Sequence, residues 1–386
     1  MTRPIHADES NPESENIRRE IAMEVWRFID LEEMPPVQTQ AVYHAVASKV
    51  NEGASPDTII FCTPKTPLVS IGYHQEAEAE VDLEYCRIKG VPVVRRILGG
   101  GAVYLDSGQL FYQIVASKSN PKVPGTIQQI FQRFLEAPVK TYNDIGIPAI
   151  YRPINDIEVG GRKISGNGAT EVGGTIVLTG NIIFDFNFDE MVRILRVPNE
   201  KFRDKVSKTL RERLTTIRKE LDEPPNRDDV KELLKRNYEY TLGVELVEGN
   251  LTVEEENLME SISEKYQTRE WLHLVENDHM DLIKKRSLKI SGRTVVGEAV
   301  KKTEGGLLRV LIETKDMKIE DIMITGDFFF IPRDYLHLLE RSLRGVDVEK
   351  GTLINNIRSF YEMYKVSTPG MTVEEIAEVI LSASSR

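Results

Sequence analysis

The chain has 386 residues, 40% of them hydrophobic and 29% charged, with a formal net charge of −11. That length exceeds what one compact core sustains, so two domains are expected. The acidic balance argues against a partner held through nucleic-acid phosphates, and no apolar run reaches membrane-spanning length. Cys62 and Cys86, the 2 cysteines, make neither a disulfide framework nor a metal cluster, which fits a reducing cytoplasm. The opening MTRPIHADESNPESEN is polar and mildly acidic, unlike a secretory signal or an Arg-rich transit peptide.

Residues 1–17 read as a disordered tail by composition. Apolar residues from Ile17 to Leu31 have helical spacing, and MPPV ends that segment. Val37 to Asn51 is predicted as an amphipathic helix, with Val42, Val46 and Val50 at i, i+4 and i+8. His44 on it reads as packed or solvated. Thr58 to Phe61 is a short strand, followed by Cys62. Pro67 to Gln75 reads as strand then turn, and His74 there is either catalytic or part of a pocket wall. No Cys or Ser nucleophile with a neighbouring base is in view. Asp82 to Lys89 is a short helix that places Cys86 in a core.

The segment from Val93 to Val115 carries the first chemical pattern. Arg95 and Arg96 precede Gly99, Gly100 and Gly101, and an apolar aromatic strand follows. Successive glycines leave no Cβ, so a ligand can lie directly on backbone N–H groups. The two arginines supply forked donors for a carboxylate or phosphate. A Gly-rich hairpin with surface arginines fits the same residues. A dinucleotide fingerprint would need a helix after the glycines. Ala102, Val103 and Tyr104, then DSG and LFYQIV, are strand and turn residues, and no P-loop signature occurs, so both nucleotide-binding motifs are excluded.

Residues 126 to 137 (TIQQIFQRFLEA) form a helix. The second chemical pattern is NDIEVGGRKISGNG, residues 155 to 168. It reads as a strand from Asp156 to Val159, a Gly-Gly turn, and a strand that carries Lys163. Gly160, Gly161, Gly166 and Gly168 flank the lysine, so backbone can approach a ligand on both sides. A lysine there delivers a compact positive charge into a narrow pocket. Most hairpin lysines point at water, and the tetrapeptide KISG recurs at Lys289 to Gly292, where it reads as an ordinary turn.

Beyond it, Asp189 to Arg218 reads as one or two helices with a solvated basic face. Val230 to Tyr238 and Val253 to Lys265 are further helices. Residues 285 to 330 alternate strand-like runs with Gly turns, and Arg333 to Leu343 and Thr372 to Ser382 are helical. The expected domains are 18–274 and 285–386, joined by a linker at 275–284. His273 and His279 lie close together in sequence but define no metal site.

Taken together, the two patterns resemble the lipoate–protein ligase family. The first resembles its RRxSGGGAVxHDxGN motif, from Arg95 through Asp106 to Gln109. The second resembles its ND…GxKxSG motif at Asn155, Asp156, Gly161, Lys163, Ser165 and Gly166. IGYHQ at 71 to 75 looks like the family's IGRxQN segment. Trp271 resembles a tryptophan near the end of the catalytic domain. Gly326-Asp327-Phe328-Phe329 and the Leu-rich helix after it look like the accessory C-terminal domain. The resemblance covers most of the chain in the right order.

The family fold implies an α/β (α+β) catalytic domain with a mixed sheet, shared with biotin ligases, plus a smaller α/β accessory domain. The implied chemistry is ATP-dependent activation of lipoate to lipoyl-AMP, then transfer to a lysine of a lipoyl domain. Such an acceptor belongs to a 2-oxoacid dehydrogenase acyltransferase subunit or a glycine cleavage carrier protein. By this resemblance Lys163 bridges the carboxylate and the α-phosphate. Arg95, Arg96, Gly99, Gly100, Gly101 and Ala102 form the lipoate and ATP side, and Tyr104 packs on adenine with Asp106 near it. Asn155 and Asp156 hold Mg²⁺-linked phosphate or orient Lys163, with Ser165 and Gly166 beside it. Val69, Ile71, Val103 and Val115 are candidates for an apolar lipoyl slot. The accessory domain closes over the adenylate or helps dock the acceptor, though as bare sequence a dimerisation module fits equally.

The chain departs from the family pattern at Leu98, Leu105, Gln109 and Thr179, which bears on adenine–ribose contacts and acyl preference. Octanoyltransferases and lipoyl amidotransferases of the same fold use a pocket cysteine beside the lysine hairpin, and residues 141 to 181 contain none. A non-catalytic lipoate- or lipoyl-domain-binding protein is a further alternative, against which the retained Lys163 argues.

Overall fold

The computed structural model describes residues 23–197, 200–286 and 294–385. Its centre is an eight-stranded mixed sheet in the order β11-β1-β2-β6-β10-β9-β8-β7. The strands are β1 (Glu24–Met34), β2 (Thr58–Pro64), β6 (Gln109–Ser117), β7 (Ile150–Arg152), β8 (Asp156–Val159), β9 (Arg162–Val172), β10 (Thr175–Ile183) and β11 (Val244–Glu248). β1 pairs in parallel with β11 and β2, and the remaining pairs are antiparallel. β3 (Leu68–Ile71), β4 (Val93–Arg95) and β5 (Val103–Leu105) form a small second sheet with β3 in the middle.

The period-two alternation of β6 shows why helices cover both faces of the large sheet. Leu110, Tyr112, Ile114 and Ala116 pack with the helices Ile127–Phe134 and Arg227–Leu242. Phe111 and Val115 point the other way, against the helix Gln38–Asn51, which buries Val42, Val46 and Val50. This is the α/β catalytic architecture that the family resemblance implied.

The expected helix from Ile17 to Leu31 is a correction. Residues 17–22 lie outside the described residues, and Glu24–Met34 is a strand. Trp26 and Phe28 are buried while Val25 is exposed, an alternation with period two rather than 3.6. The second KISG, at Lys289 to Gly292, also lies outside the described residues.

In the last third, β12 (Thr294–Thr303), β13 (Gly306–Lys315) and β14 (Lys318–Gly326) form an antiparallel three-stranded sheet. Helices Leu336–Leu343, Lys350–Tyr364 and Val373–Ser384 close its own core. The Lys350–Tyr364 helix was not anticipated from sequence. Short helices Leu274–Asn277 and Met280–Lys285 occupy the expected linker.

The accessory part does not merely follow the catalytic part. Phe329 belongs to the large core, with its ring 5.7 Å from that of Phe131. The Gly100 N–H donates to the Phe328 carbonyl at 3.3 Å, and the Gly326 N–H donates to the His74 carbonyl at 3.0 Å. Arg286, at the end of the Met280–Lys285 helix, holds Glu76 of the catalytic part through two bonds of 2.8 and 2.9 Å.

Candidate active site

One cavity of about 310 Å³ lies on the sheet face that carries Phe111 and Val115. Adjacent positions on three strands form its floor: Gln113 on β6 faces Thr179 on β10, which faces Gly168 on β9. The glycine loop with Arg96, Gly99, Gly100, Gly101 and Ala102 makes one wall, and Val103, Tyr104 and Leu105 continue it. Leu210 and Leu214, from the helix Glu200–Arg213 and its end, make another.

Lys163 enters this cavity from β9. Its Nζ lies 2.6 Å from Asp156 Oδ1, with both side chains about a third exposed. A Cβ on residue 166 would sit 3.0 Å from Lys163 Cε and 3.2 Å from Nζ, so Gly166 leaves room for the lysine to fold back over the strand. The Lys163 carbonyl accepts from Thr215 N–H at 2.8 Å, tying β9 to the leucine wall. The Gly166 N–H donates to Asn181 Oδ1 at 2.9 Å, and Asn181 Nδ2 donates to Gln109 Oε1 at 2.8 Å. Asn155 also lines the cavity and bonds to the Asn167 carbonyl.

The structure thus gathers Lys163, Arg96, Gly99, Gly100, Gly101, Ala102, Tyr104, Asn155 and Gly166 around one space, with Asp156 against the lysine. Arg95 is elsewhere. It is fully buried, and its donors go to the carbonyls of Tyr73 (2.7 Å), Gln75 (2.6 Å) and Leu272 (2.6 Å) and to Glu276 (3.1 Å). It knits the 72–75 turn to the linker and has no donor to offer a ligand. Ser165 is also buried, beside the Tyr112 hydroxyl at 3.1 Å, because its side chain leaves β9 on the opposite face from Gly166. Asp106 closes its own turn by accepting from the Gly108 N–H at 2.9 Å, and burial raises its carboxyl above the usual range. Of the expected slot residues, Val103 lines the cavity while Val69, Ile71 and Val115 are core.

Arg96 works inward as well as outward. Three of its N–H groups hold the carbonyls of Ser70 (2.9 Å), Gly99 (2.8 Å) and Gly101 (2.9 Å), so it shapes the glycine loop from beneath. Burial lowers its pKa to about 10, still cationic at neutral pH. Gly99 answers to a protein neighbour: a Cβ there would stand 2.4 Å from the Phe328 carbonyl oxygen. Gly100 has a left-handed φ of 91°.

Sequence reasoning missed Gln40, Gln113, Asn167 and Asn181, all of which line the cavity. A signal was available for Gln113: in LFYQIV it shares a side with Phe111 and Val115, and a polar residue on a buried face needs a reason. His74 is buried and stacked on Phe328 at 5.3 Å, and burial lowers its pKa to about 3, so it is no base at neutral pH. Cys62 and Cys86 are buried and absent from the cavity wall. Burial pushes the Cys62 thiol far up and the Cys86 thiol to about 11. Among the described residues no group of three or more His, Cys, Asp or Glu side chains is placed to hold a metal ion, and no helix is long and apolar enough to cross a membrane.

Comparison with known proteins fits this geometry. Residues 35–239 match the family model described as lipoyl protein ligase A/B catalytic domain, and residues 298–380 match that of the bacterial lipoate protein ligase C-terminus. The chain belongs to the lipoyl protein ligase A/B family, and is an enzyme of that ligase and transferase group. It is 28% identical over 275 residues to octanoyltransferase LipM of Geobacillus kaustophilus, which covers 65% of this chain and 99% of that relative. Among solved structures it is similar to a bipartite lipoate protein ligase studied with its E2 lipoyl domain from Thermoplasma acidophilum. There the TM-score is 0.58 and the identity 30%, covering 65% of this chain and 97% of that one. It is likewise similar to lipoate-protein ligase A bound with ATP, with a TM-score of 0.55 and 29% identity over 65% of this chain and 99% of that one.

Proposed function

We propose that this protein is an ATP-dependent lipoate–protein ligase. The observation that carries the reading is a cavity with a lysine ammonium at its floor and no thiol on its wall. In the first step a lipoate carboxylate oxygen bonds to the α-phosphorus of ATP, and the bond to pyrophosphate breaks. Two anions must meet, so positive charge and positioning supply most of the rate. Lys163 is the cation at hand, and Asp156 aims it. In the second step the neutral amine of an acceptor lysine bonds to the acyl carbon, AMP leaves, and the amine's proton passes to water. The ATP-bound relative supports the nucleotide, and the relative studied with an E2 lipoyl domain supports a lipoyl domain as acceptor. Mg²⁺ would arrive with the ATP phosphates, Asp156 being the carboxylate beside Lys163.

A second reading, acyl transfer from a carrier thioester, is favoured by the LipM relatives. A cysteine relay of that kind needs a reachable thiolate. Cys62 lies behind the wall, with Gln113 Nε2 3.6 Å from its sulfur. The deciding assay is pyrophosphate release from ATP and Mg²⁺ with lipoate, octanoate, biotin or no acid. Lipoate-dependent release is the expected result. No release with any acid, alongside acyl transfer from an octanoyl carrier, would replace the ligase reading with the transferase.

A further inference from the structure

The far end of the cavity from Lys163 is not apolar. Gln113 is 1% exposed and Gln40 6% exposed, and both line the cavity. Gln113 Nε2 donates to the Thr39 carbonyl at 2.8 Å, which sets the orientation of its amide. Its Oε1 is then left buried with no hydrogen-bond partner. An unpaired buried acceptor is costly, and natural interiors rarely keep one without a use.

The register measures the distance from the lysine end. Gly166, over which Lys163 Nζ lies, is two strands across and two residues along from Gln113. At sheet spacings that is about 12 Å between the two backbone positions. An extended eight-carbon acid spans roughly 9 Å from C1 to C8 at standard bond lengths. With a hydrogen-bond contact at its far end it fills that interval.

We infer that Gln113 Oε1 selects an eight-carbon acid whose far end carries a hydrogen-bond donor, which makes the dithiol form, 6,8-dimercaptooctanoate, the preferred acid. The inference rests on the ligase-family cavity but not on the adenylation step. A thiol S–H is a weak donor of the kind this acceptor lacks. The cyclic disulfide and plain octanoate have no donor at that end, and each would leave the carbonyl oxygen as unpaired as the protein's own groups leave it. Sites built around a hydrogen bond discriminate best against ligands that lack it.

Calorimetric titration of the full-length chain, under argon with a phosphine reductant for the dithiol, tests this with three acids: the dithiol, lipoate as disulfide, and octanoate. The dithiol should bind about fivefold or more tightly than the other two. In Gln113→Leu and Gln113→Met that advantage should vanish, with octanoate binding unchanged or tighter. Equal binding of dithiol and disulfide by the natural chain would overturn the inference, as would no binding of any acid. So would a preference that survives in whichever variant folds. Failure of pyrophosphate release alongside a clear dithiol preference would remove the ligase reading and leave this one standing.

Discussion

At the scale of single residues the candidate site is a matter of which charges remain free. Lys163 keeps a compact cation in the cavity, paired among the described residues with Asp156. Lys163→Ala should lower lipoate-dependent pyrophosphate release by about 10²- to 10³-fold, the usual loss for an electrostatic group at the reacting centre. Its unfolding midpoint should hardly move, because a partly exposed ion pair contributes about 1 kcal/mol or less. Retained release in that variant would sink the proposed mechanism. Arg95 should behave in the opposite way. Arg95→Ala strands Glu276 and several carbonyls in the interior, for a loss of about 3–5 kcal/mol measured by urea denaturation. The lysine and its glycines were legible in sequence only in conjunction with the Arg-Arg-Gly segment, since the tetrapeptide alone recurs at Lys289 to Gly292. Arg95 and Arg96 were indistinguishable there, since adjacent residues on a strand face opposite ways and only the packed neighbours decide which side is the cavity. Gln113 stood out in sequence as a polar residue on a buried strand face, but that its Oε1 lacks a partner shows only in the packed structure.

At the scale of elements, the hairpin of β8 and β9 and the glycine loop are held by neighbours far off in the chain. Phe329 is 4% exposed and packs among catalytic-part side chains. Phe329→Ala should cost about 3–5 kcal/mol, as large-to-small core changes do. Limited proteolysis should then cut the linker around residues 275–284 faster than in the natural chain. Unaltered cleavage would show that Phe329 does not hold the accessory part in place. Strand-like runs made β2, β6, β8 and β9 of the large sheet legible, whereas β7, β10 and β11 were not anticipated. β1 was misread because its apolar residues fit a helical template as well as a strand one over a short window. The Lys350–Tyr364 helix escaped notice because Gly351, Asn355 and Asn356, poor helix formers, interrupt the run that carries its core residues Leu353, Ile357 and Phe360.

At the scale of the whole molecule, linker and accessory part meet in a charged contact. His279 lies 3.4 Å from both Asp321 and Glu340. Burial works against its charge, but the two carboxylates outweigh that and raise its pKa from 6.5 to about 9. Arg344 also pairs with Asp321, at 2.7 Å. A raised folded-state pKa adds stability that is complete below pH 6.5 and fades as pH climbs through about 9. The denaturation midpoint should therefore fall between pH 7 and 9.5, and His279→Gln should flatten that slope. A slope identical in both proteins would refute the assignment. The Gly99 contact with Phe328 has a consequence for synthesis. The glycine loop emerges from the ribosome early, whereas the carbonyl and ring that pack on it come from the last fifth of the chain. At ordinary elongation rates the loop waits tens of seconds for them. Nascent chains halted before that point would carry every residue of the lysine hairpin and still lack the surface against which the glycines close.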